Sequence, residues 1–585
     1  MKKLLGYLKK YKIECVLAPL FKMLEATFEL IVPLVVASLI DVGIKNADTH
    51  HIYMCVALMI ALGLIGLICS ITAQFFAAKA ATGFSADLRR DLFSHLMNLS
   101  FKEIDNIGTS TMITRMTSDV NQAQTGVNMF LRLFLRSPFV VFGAMIMAFT
   151  IDVKAAMIFI AVIVILSVVV GTITKINIPI IKNVQGMLDR VLLLTRENLT
   201  GARVIRAFCN EEAEIKEYYK SNERLYKEQI RSGRVAGLLN PVTYVVVNIG
   251  IVCLIYTGGV QVDNGILTQG QVIALYNYMS QILVELIKLA NLIITLNKAL
   301  ASAGRIADVF DINNSQSIIT IQNSEINSKS HDWENQEEPV VKFENVALKY
   351  HSSSDAAIEN ISFSAKKGET IGIIGGTGSG KSSLVSLIPR FYDASEGCVY
   401  INGVDTRSLN IDTLREKIGI VMQKAVLFKG TIRSNLAYGI NGLSDEELLE
   451  AADLAVATDV INAKGGLDGE ILQNGKNLSG GQRQRLTIAR ALAKKPDILI
   501  LDDSASALDF ATEKQLNKNI KSLDYNPTTF IVTQRASSVI DADKIIVLDD
   551  GEIVGMGTSS ELLKSCPIYK EIYNTQFEEG LANEK

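Results

Sequence analysis

The sequence predicts an α-helical membrane domain of six spans with long cytoplasmic helical extensions, followed by an α/β domain built on a phosphate-binding loop. Hydrophobic residues make up 49% of the 585 residues. Apolar runs about twenty residues long, enough to cross a bilayer, are confined to the first half of the chain. Further on, a buried-strand pattern precedes the glycine-rich segment 375–382. The predicted boundaries are 1–312 for the membrane domain, 313–339 for a polar linker and 340–585 for the α/β domain.

Six apolar runs form the predicted spans, at residues 15–40, 52–78, 129–150, 155–176, 242–262 and 272–299. Several lysines precede the first run, whereas the predicted outer loops contain only Lys45 and Lys154. Because lysine and arginine accumulate on the cytoplasmic side of membrane proteins, the amino terminus is predicted to be cytoplasmic. An even number of spans places the carboxy-terminal domain on the same side. The sequence therefore predicts a multi-pass protein of the cell membrane.

Two connections between the spans, 79–128 and 177–241, are long, charged and helical in pattern. A helix of fifty residues is about 75 Å long. We therefore expect these spans to continue into the cytoplasm as paired helical extensions.

Charged residues inside the predicted spans have two possible roles. Glu25 and Glu29 stand four apart in the first run, and Arg132 and Arg136 repeat that spacing in the third. Charges within a bilayer are costly, so they pair with one another or face a water-filled cavity. Pairing, or a position at the membrane interface, would make them structural, whereas a cavity would make Glu25 and Glu29 a site that favours cationic cargo. The sequence leaves both interpretations open.

The segment 375–382 is a phosphate-binding loop between a predicted strand and a predicted helix. Its glycines allow backbone N–H groups to approach phosphates, and the helix N-terminus favours their negative charge. Lys381 is predicted to reach the β and γ phosphates, while Ser382 and Asp502, which ends an apolar strand, are predicted to hold Mg²⁺. The predicted nucleotide-binding residues here are Gly375, Gly376, Thr377, Gly378, Ser379, Gly380, Lys381, Ser382 and Ser383.

Two further features belong to the predicted nucleotide site. Tyr350 precedes the loop and is able to stack on adenine, although packing is the commoner role of a single aromatic residue. A second anion-binding segment opens a predicted helix at Ser479, Gly480, Gly481 and Gln482. About a hundred residues separate it from the first loop, so one nucleotide cannot easily use both in one chain. A second copy facing the first would meet this requirement.

The pairing of 375–382 with 478–482, behind six spans, resembles an ATP-binding cassette (ABC) exporter half-transporter. The resemblance implies ATP and Mg²⁺ as cofactors, adenine stacking on Tyr350, and a metal-sensing role for Gln423 beside the Mg²⁺. It implies that 506–509 lines the interface with a second half-transporter. It also implies that 101–106 and 210–216 are coupling helices that dock on nucleotide-binding domains, the second on the partner's domain.

Two positions depart from that family. Asp503 stands where the family has a glutamate that orients the attacking water, and Gln534 where it has a histidine facing the γ-phosphate. Aspartate is one methylene shorter, and a displacement of about 1 Å costs on the order of 10²-fold in rate. Glutamine cannot carry a proton or a positive charge. No histidine follows the phosphate loop, and Glu513 is too far along the chain to substitute.

This combination is most similar to the degenerate-site subunit of heterodimeric bacterial multidrug ABC exporters. Its intact 478–482 would complete the partner's hydrolytic site. The predicted function is ATP-driven export of small amphipathic compounds by alternating access, in contact with membrane lipids. The alternatives are a homodimer with a drifted site, an exporter of lipids or peptides, and an ATP-gated regulator or channel subunit. A net charge of −3 gives no argument for nucleic acid as a partner.

Overall fold

The computed structural model describes residues 2–312, 316, 339–350 and 355–582. They form two compact units. The first comprises Met1–Met97 and Gly108–Ile312, and the second comprises Asn98–Ile107 and Asn313–Lys585. The predicted linker, 313–339, lies outside the described residues except for Gln316 and Pro339.

The first unit is helical, as its apolar runs predicted. The helices up to residue 310 are α1 Lys2–Leu5, α2 Lys12–Ser38, α3 Thr49–Met97, α4 Phe101–Ile107, α5 Thr109–Thr114, α6 Val120–Leu133, α7 Arg136–Ile151, α8 Val153–Thr200, α9 Ala202–Ala207, α10 Glu211–Gly237, α11 Leu239–Asp263 and α12 Gln269–Phe310. A 3₁₀ helix precedes α2, and π-helical turns follow α2 and α5. Of these helices, α4 belongs to the second unit.

In the part of the chain that the structure describes, six helical stretches are long and apolar enough to cross a membrane, which confirms the predicted number. They are Gly6–Ile44, Thr49–Met97, Thr109–Ile151, Val153–Thr200, Glu211–Asp263 and Gln269–Phe310. The third departs from prediction, since the expected continuous span 129–150 is interrupted between α6 and α7. Pro138 lies in the first turn of α7, where a missing N–H is tolerated. Inside a continuous helix it would leave the Phe134 carbonyl without a donor.

The predicted helical extensions are present. Helices α3 and α8 contain 49 and 48 residues, so each is about 70 Å long at 1.5 Å per residue. Helix α10 packs along α8, and Ser232 donates a hydrogen bond to Asn177 at 3.1 Å between them. The cytoplasmic placement of these extensions remains a prediction.

One group of charged side chains within the spans is an ion-pair cluster. Arg136, which is buried, contacts Glu29 at 2.7 Å and the buried Glu285 at 2.5 Å. Glu285 also accepts hydrogen bonds from Ser137 and Lys288, each at 2.8 Å. Side chains from three spanning stretches therefore meet here, and their opposite charges offset one another. This geometry favours the pairing interpretation of Glu29.

The other intramembrane charges are less uniformly paired. Lys22 contacts Glu25 at 2.5 Å, three residues on in the same helix. The Nε atom of Arg132 is buried and has no hydrogen-bond partner among the described residues. Glu25 and Glu29 thus each have a cationic partner, and contact of any of these charges with cargo stays a hypothesis.

Helix α2 contains a proline, and side chains of α12 donate hydrogen bonds to the α2 backbone beside it. Pro33 has no N–H, so the carbonyl of Glu29, four residues earlier, lacks its helical donor. Gln281 of α12 donates to this carbonyl at 3.4 Å, and Tyr278 donates to the carbonyl of Leu30 at 2.6 Å. The Tyr278 side chain is fully buried. Helix α12 thereby supplies the donor that the Glu29 carbonyl lacks within α2, next to the Arg136 cluster.

The second unit is an α/β fold. Its strands are β1 Val341–Leu348, β2 Ile358–Ala365, β3 Thr370–Gly375, β4 Glu396–Ile401, β5 Val404–Asp405, β6 Ile418–Val421, β7 Gly430–Thr431, β8 Glu470–Ile471, β9 Ile498–Asp502, β10 Thr528–Thr533, β11 Lys544–Asp549 and β12 Glu552–Gly557. Its later helices are α13 Lys381–Ser386, α14 Ile411–Glu416, α15 Ile432–Leu436, α16 Asp445–Leu454, α17 Thr458–Ala463, α18 Gly480–Ala493, α19 Phe510–Lys521, α20 Ala536–Val539, α21 Ser559–Ser565 and α22 Pro567–Ala582.

The strand order explains where a site forms. The larger sheet runs β12-β11-β3-β10-β9-β6, with all strands parallel except β12. Strand β9 is fully buried, as its uninterrupted apolar sequence predicted. Because parallel strands end at the same edge, the segments after β3, β9, β10 and β6 are neighbours. A smaller antiparallel sheet, β2-β1-β4-β5, lies in the same unit.

Residues 98–107 depart from the predicted boundaries. The sequence assigned them to a membrane domain of 1–312, but they group with the second unit. Phe101 packs on Phe391 with ring centroids 4.5 Å apart, and Asp105 accepts a hydrogen bond from Tyr392 at 2.5 Å. Residues 101–106 therefore contact the α/β fold within the second unit, as predicted, and their role as a coupling helix stays a prediction. Docking of 210–216 on a partner stays a prediction.

Candidate nucleotide-binding site

The phosphate loop follows β3 and leads into α13. Gly378 and Gly380 have φ values of +87° and +92°, a region that favours glycine. At Gly375 a Cβ atom would lie 2.1 Å from the Leu548 carbonyl oxygen, so a side chain cannot fit there. Nothing lies within 4 Å of the Cβ position of Gly376. The loop is thus a backbone cradle with open space, as phosphate binding requires.

Lys381 is held inside this cradle. Its Nζ atom donates to the carbonyls of Gly375 at 2.9 Å and Gly376 at 2.5 Å, and lies 3.3 Å from the Ser379 hydroxyl. Burial lowers the pKa of Lys381, which the Asp503 and Asp502 charges partly offset. A phosphate at this point would give the ammonium group a charged partner, so the loop suits an anion.

Asp502 and Ser382 form the predicted metal pair. The Ser382 hydroxyl donates to the Asp502 carboxylate at 2.9 Å. Burial raises the pKa of Asp502, while the Ser382 hydrogen bond lowers it in part. A hydroxyl and a carboxylate are hard oxygen ligands of the kind that Mg²⁺ prefers, alongside nucleotide phosphates. These residues fit the metal, which would neutralise phosphate charge and favour the ionised Asp502.

Asp503 has its backbone firmly fixed. It is left-handed, with φ of +46°, and its N–H donates to the Val532 carbonyl at 2.9 Å. Its own carbonyl accepts from the Gln484 amide at 3.2 Å and the Ser506 hydroxyl at 2.9 Å. Its carboxylate accepts a hydrogen bond from Gln423 at 3.2 Å. The predicted metal-sensing glutamine therefore contacts Asp503 in this structure.

Gln534 directly follows β10. Its backbone carbonyl accepts a hydrogen bond from Gln576 of α22 at 2.8 Å, and its side chain is exposed. Glu513 is buried, contacts Arg535 at 3.3 Å and accepts a hydrogen bond from Ser538. Glu513 is thus engaged elsewhere and does not take the place of the missing glutamate.

One cavity of about 280 Å³ brings most of these side chains together. Its predicted members are Thr377, Gly378, Gly380, Lys381, Ser382, Ser383, Gln423, Asp502, Asp503 and Gln534. Gly375, Gly376 and Ser379 belong to the loop but do not line the cavity. Sequence reasoning missed Asp550 and Gly551, which line it from the β11–β12 turn. An Asp-Gly turn is a recognisable hairpin signal, but only the sheet order brings this hairpin beside the loop.

Tyr350 lies outside that cavity. Its hydroxyl is 2.9 Å from the Ser383 hydroxyl, and it lines a neighbouring cavity of about 220 Å³. Tyr350 therefore contacts α13 at Ser383, next to the cavity that the phosphate-binding residues line.

The second anion-binding segment is also separate from the phosphate loop. Ser479 caps α18: its hydroxyl accepts from the Gln482 N–H at 3.3 Å, and the Gln482 side chain accepts from the Ser479 N–H at 2.9 Å. Gly480 lines a different cavity, shared with Gln423 and Ser506. The two anion-binding segments therefore do not converge within the described part of this chain.

Comparisons with known proteins agree with this architecture. The family model described as the ABC transporter transmembrane region matches residues 15–286, and that described as ABC transporter matches residues 358–506. An uncharacterized ABC transporter ATP-binding protein of Bacillus subtilis, YfiB, is 34% identical over 578 residues, covering 99% of both chains. The chain belongs to the ABC transporter family, as an exporter half-transporter with a transmembrane and a nucleotide-binding domain.

Other relatives differ in their described cargo. An ATP-dependent lipid A-core flippase of Desulfotalea psychrophila is 29% identical over 98% of this chain and 99% of the relative. A putative multidrug export ATP-binding/permease protein of B. subtilis, YgaD, is 31% identical over 98% and 99%. The solved structure of a bacterial Atm1-family ABC exporter with ATP bound matches with a TM-score of 0.79 at 23% identity, covering 97% of this chain and 98% of that one. That match shows the fold.

Proposed function

We propose that this chain is one subunit of a heterodimeric ATP-driven exporter that moves amphipathic compounds out of the cytoplasm. Its own site binds ATP with Mg²⁺ and hydrolyses weakly. Its Ser479–Gln482 segment completes the hydrolytic site of a second half-transporter. The proposed location is the cell membrane, with the amino terminus and the nucleotide-binding domain in the cytoplasm.

The single observation that carries this proposal is the composition of the phosphate-loop cavity. Asp503 and Gln534 both line it, at the two positions where the family has a water-orienting glutamate and a histidine. The binding groups, Lys381, Ser382 and Asp502, are intact in the same cavity. A site that keeps the binding groups and changes both hydrolytic groups suits retention of ATP.

The intact second segment argues against general decay of the chain. Ser479 and Gln482 form a complete capping box, so α18 begins as a regular helix at this segment, and a helix N-terminus favours an anion. Since it does not reach the chain's own phosphate loop, its use requires a second nucleotide domain. A partner with a glutamate and a histidine at the corresponding positions would give one competent site per dimer.

The cargo is proposed from the relatives. A multidrug exporter is favoured by the likeness to YgaD. A homodimeric lipid exporter is the second candidate, favoured by the similar identity to a lipid A-core flippase. Membrane lipids contact the spans in either case.

ATP turnover of the purified chain, alone and co-expressed with a candidate partner, tests the subunit arrangement. We expect little turnover alone and substantial, drug-stimulated turnover in the pair. Substantial turnover alone, unaffected by Asp503→Asn, would contradict the proposal. Transport of dyes and of labelled lipids in inside-out vesicles separates the two cargo classes. Gly480→Asp is the inactive control, because its carboxylate repels the phosphates at the Ser479–Gln482 segment, which completes the hydrolytic site.

A further inference from the structure

The side chain of Tyr350 is fixed on two sides. Its hydroxyl lies 2.9 Å from the Ser383 hydroxyl, at the beginning of α13. The ring of Tyr392 meets its ring edge-on, with centroids 4.9 Å apart and an interplanar angle of 89°. Such T-shaped pairs are a favourable aromatic arrangement. The orientation of Tyr350 therefore depends on where Tyr392 is held.

Tyr392 is itself held by residues 98–107, the loop tip, which contains α4. Its hydroxyl donates to the Asp105 carboxylate at 2.5 Å. Burial, and then this carboxylate, raise the pKa of Tyr392 far above its usual value, so the hydroxyl keeps its proton and remains a donor. A cavity of about 220 Å³ borders both Tyr350 and Tyr392. The cavity leaves part of the Tyr392 side chain without packing, and the Asp105 hydrogen bond holds its hydroxyl end in place.

The surroundings of this contact are rigid. Phe101 of α4 packs on Phe391, and the Arg415 guanidinium lies 5.3 Å from the Phe391 ring centroid and 6.0 Å from that of Phe101. Arg415 also donates to the carbonyls of Pro389 and Arg390, at 3.1 Å and 2.9 Å. The backbone that carries Tyr392 and the helix that carries Asp105 are therefore fixed independently of their mutual hydrogen bond.

We propose that Tyr392 and Asp105 are positioning residues for base recognition: Asp105 fixes the Tyr392 ring, which fixes Tyr350 in the orientation that stacks on adenine. This rests on the proposed nucleotide site, in which Tyr350 contacts the base. Binding of the base then depends on the loop tip, whereas binding of the phosphates does not. Because coupling between two sites is reciprocal, base binding stabilises the tip as much as the tip favours the base.

Equilibrium binding to the full-length protein tests the first half of the proposal. The probes are ATP and inorganic tripolyphosphate, which carries the phosphate charges but no base. We expect Tyr392→Phe and Asp105→Ala each to weaken ATP binding about three- to fivefold, the size of one partly exposed hydrogen bond. Tripolyphosphate binding should not change. The double variant should lose no more than either single variant, because both remove the same contact.

The control is Tyr525→Phe, which removes a hydroxyl that is buried without a hydrogen-bond partner among the described residues. It should leave the affinity for both probes unchanged. Unaltered ATP affinity in Tyr392→Phe, or equal weakening of both probes, would overturn the positioning role. If the native protein binds neither probe, the proposed nucleotide site itself fails, and this inference fails with it.

Hydrogen exchange of the loop tip tests the second half. In the native protein, ATP should slow amide exchange across 98–107, and tripolyphosphate at equal occupancy should not. In Tyr392→Phe, saturating ATP should no longer protect this segment more than tripolyphosphate does. Equal protection by both probes in the native protein, or protection by ATP that persists in the variant, would refute the coupling of base to tip.

Discussion

Replacing Asp503 by glutamate, which is one methylene longer, tests whether the length of this side chain limits ATP hydrolysis. Its backbone is fixed by hydrogen bonds to Val532, Gln484 and Ser506, so Asp503→Glu changes chiefly the reach of the carboxylate, by about 1.5 Å. A catalytic group misplaced by about 1 Å loses on the order of 10²-fold in rate. We therefore expect Asp503→Glu to raise the ATP turnover of the isolated chain by about 10- to 100-fold.

The left-handed backbone sets the cost of this change. At φ of +46°, aspartate is better tolerated than glutamate, so Asp503→Glu should lower the free energy of unfolding by about 1 kcal/mol. Gln534→His added to Asp503→Glu should raise turnover further, because it restores a side chain able to carry a proton or a positive charge beside the γ-phosphate. Gln534→His alone should have a smaller effect.

The assay is phosphate release by purified chain in detergent, at saturating Mg²⁺–ATP, with thermal unfolding as the stability measurement. Asp503→Asn is the matched control, since it keeps the shape and the left-handed preference but removes the charge. The reasoning is refuted if Asp503→Glu leaves turnover at the native level while ATP binding is intact. It is also refuted if native turnover is already substantial and Asp503→Asn does not lower it.

Three further outcomes follow from the structure. Arg136→Leu should destabilise the protein by about 1.5–3 kcal/mol, because Glu29 and the buried Glu285 each lose a charged hydrogen bond, while Glu285 keeps Lys288 and Ser137 as partners; thermal unfolding in detergent measures this, and Arg190→Leu, at an exposed ion pair, should cost less than about 1 kcal/mol. Mg²⁺–ATP affinity should fall as the pH drops through the raised pKa of Asp502, since protonation removes the charged metal ligand, and titration of Asp502→Asn should not show that step. Tyr278→Phe should cost about 1–2 kcal/mol, because the Leu30 carbonyl, near Pro33 of α2, loses the Tyr278 hydroxyl as a donor, and an unchanged unfolding temperature would contradict this role.

Much of the nucleotide site was predictable because its residues are adjacent in sequence. The loop 375–382 and the strand that ends at Asp502 are continuous patterns, and a buried parallel strand is recognisable from its unbroken apolar residues. Asp550 and Gly551, two of the lining residues that the sequence did not reveal, reach the cavity only through the order of strands in the sheet. No local pattern encodes which strand lies beside which.

The membrane helices show the same division. Apolar runs predicted six spans, because a bilayer requires a minimum length of apolar helix. The break between α6 and α7 was missed, although Pro138 carried a local signal for it. Whether Glu25 and Glu29 face cargo or partners was undecidable from spacing, since Arg136 lies on a different helix and meets Glu29 only by packing.

The sequence by itself determined the class of this protein, its six spans, its phosphate loop and the two substitutions at Asp503 and Gln534, because each is a matter of residue type at a local position. Only the tertiary structure decided that both substitutions line the loop's cavity, that the Ser479 segment lies apart from it, and that Asp105 of a distant loop holds Tyr392. These are contacts between residues far apart in the chain. They are set by strand order and helix packing, which local sequence does not encode.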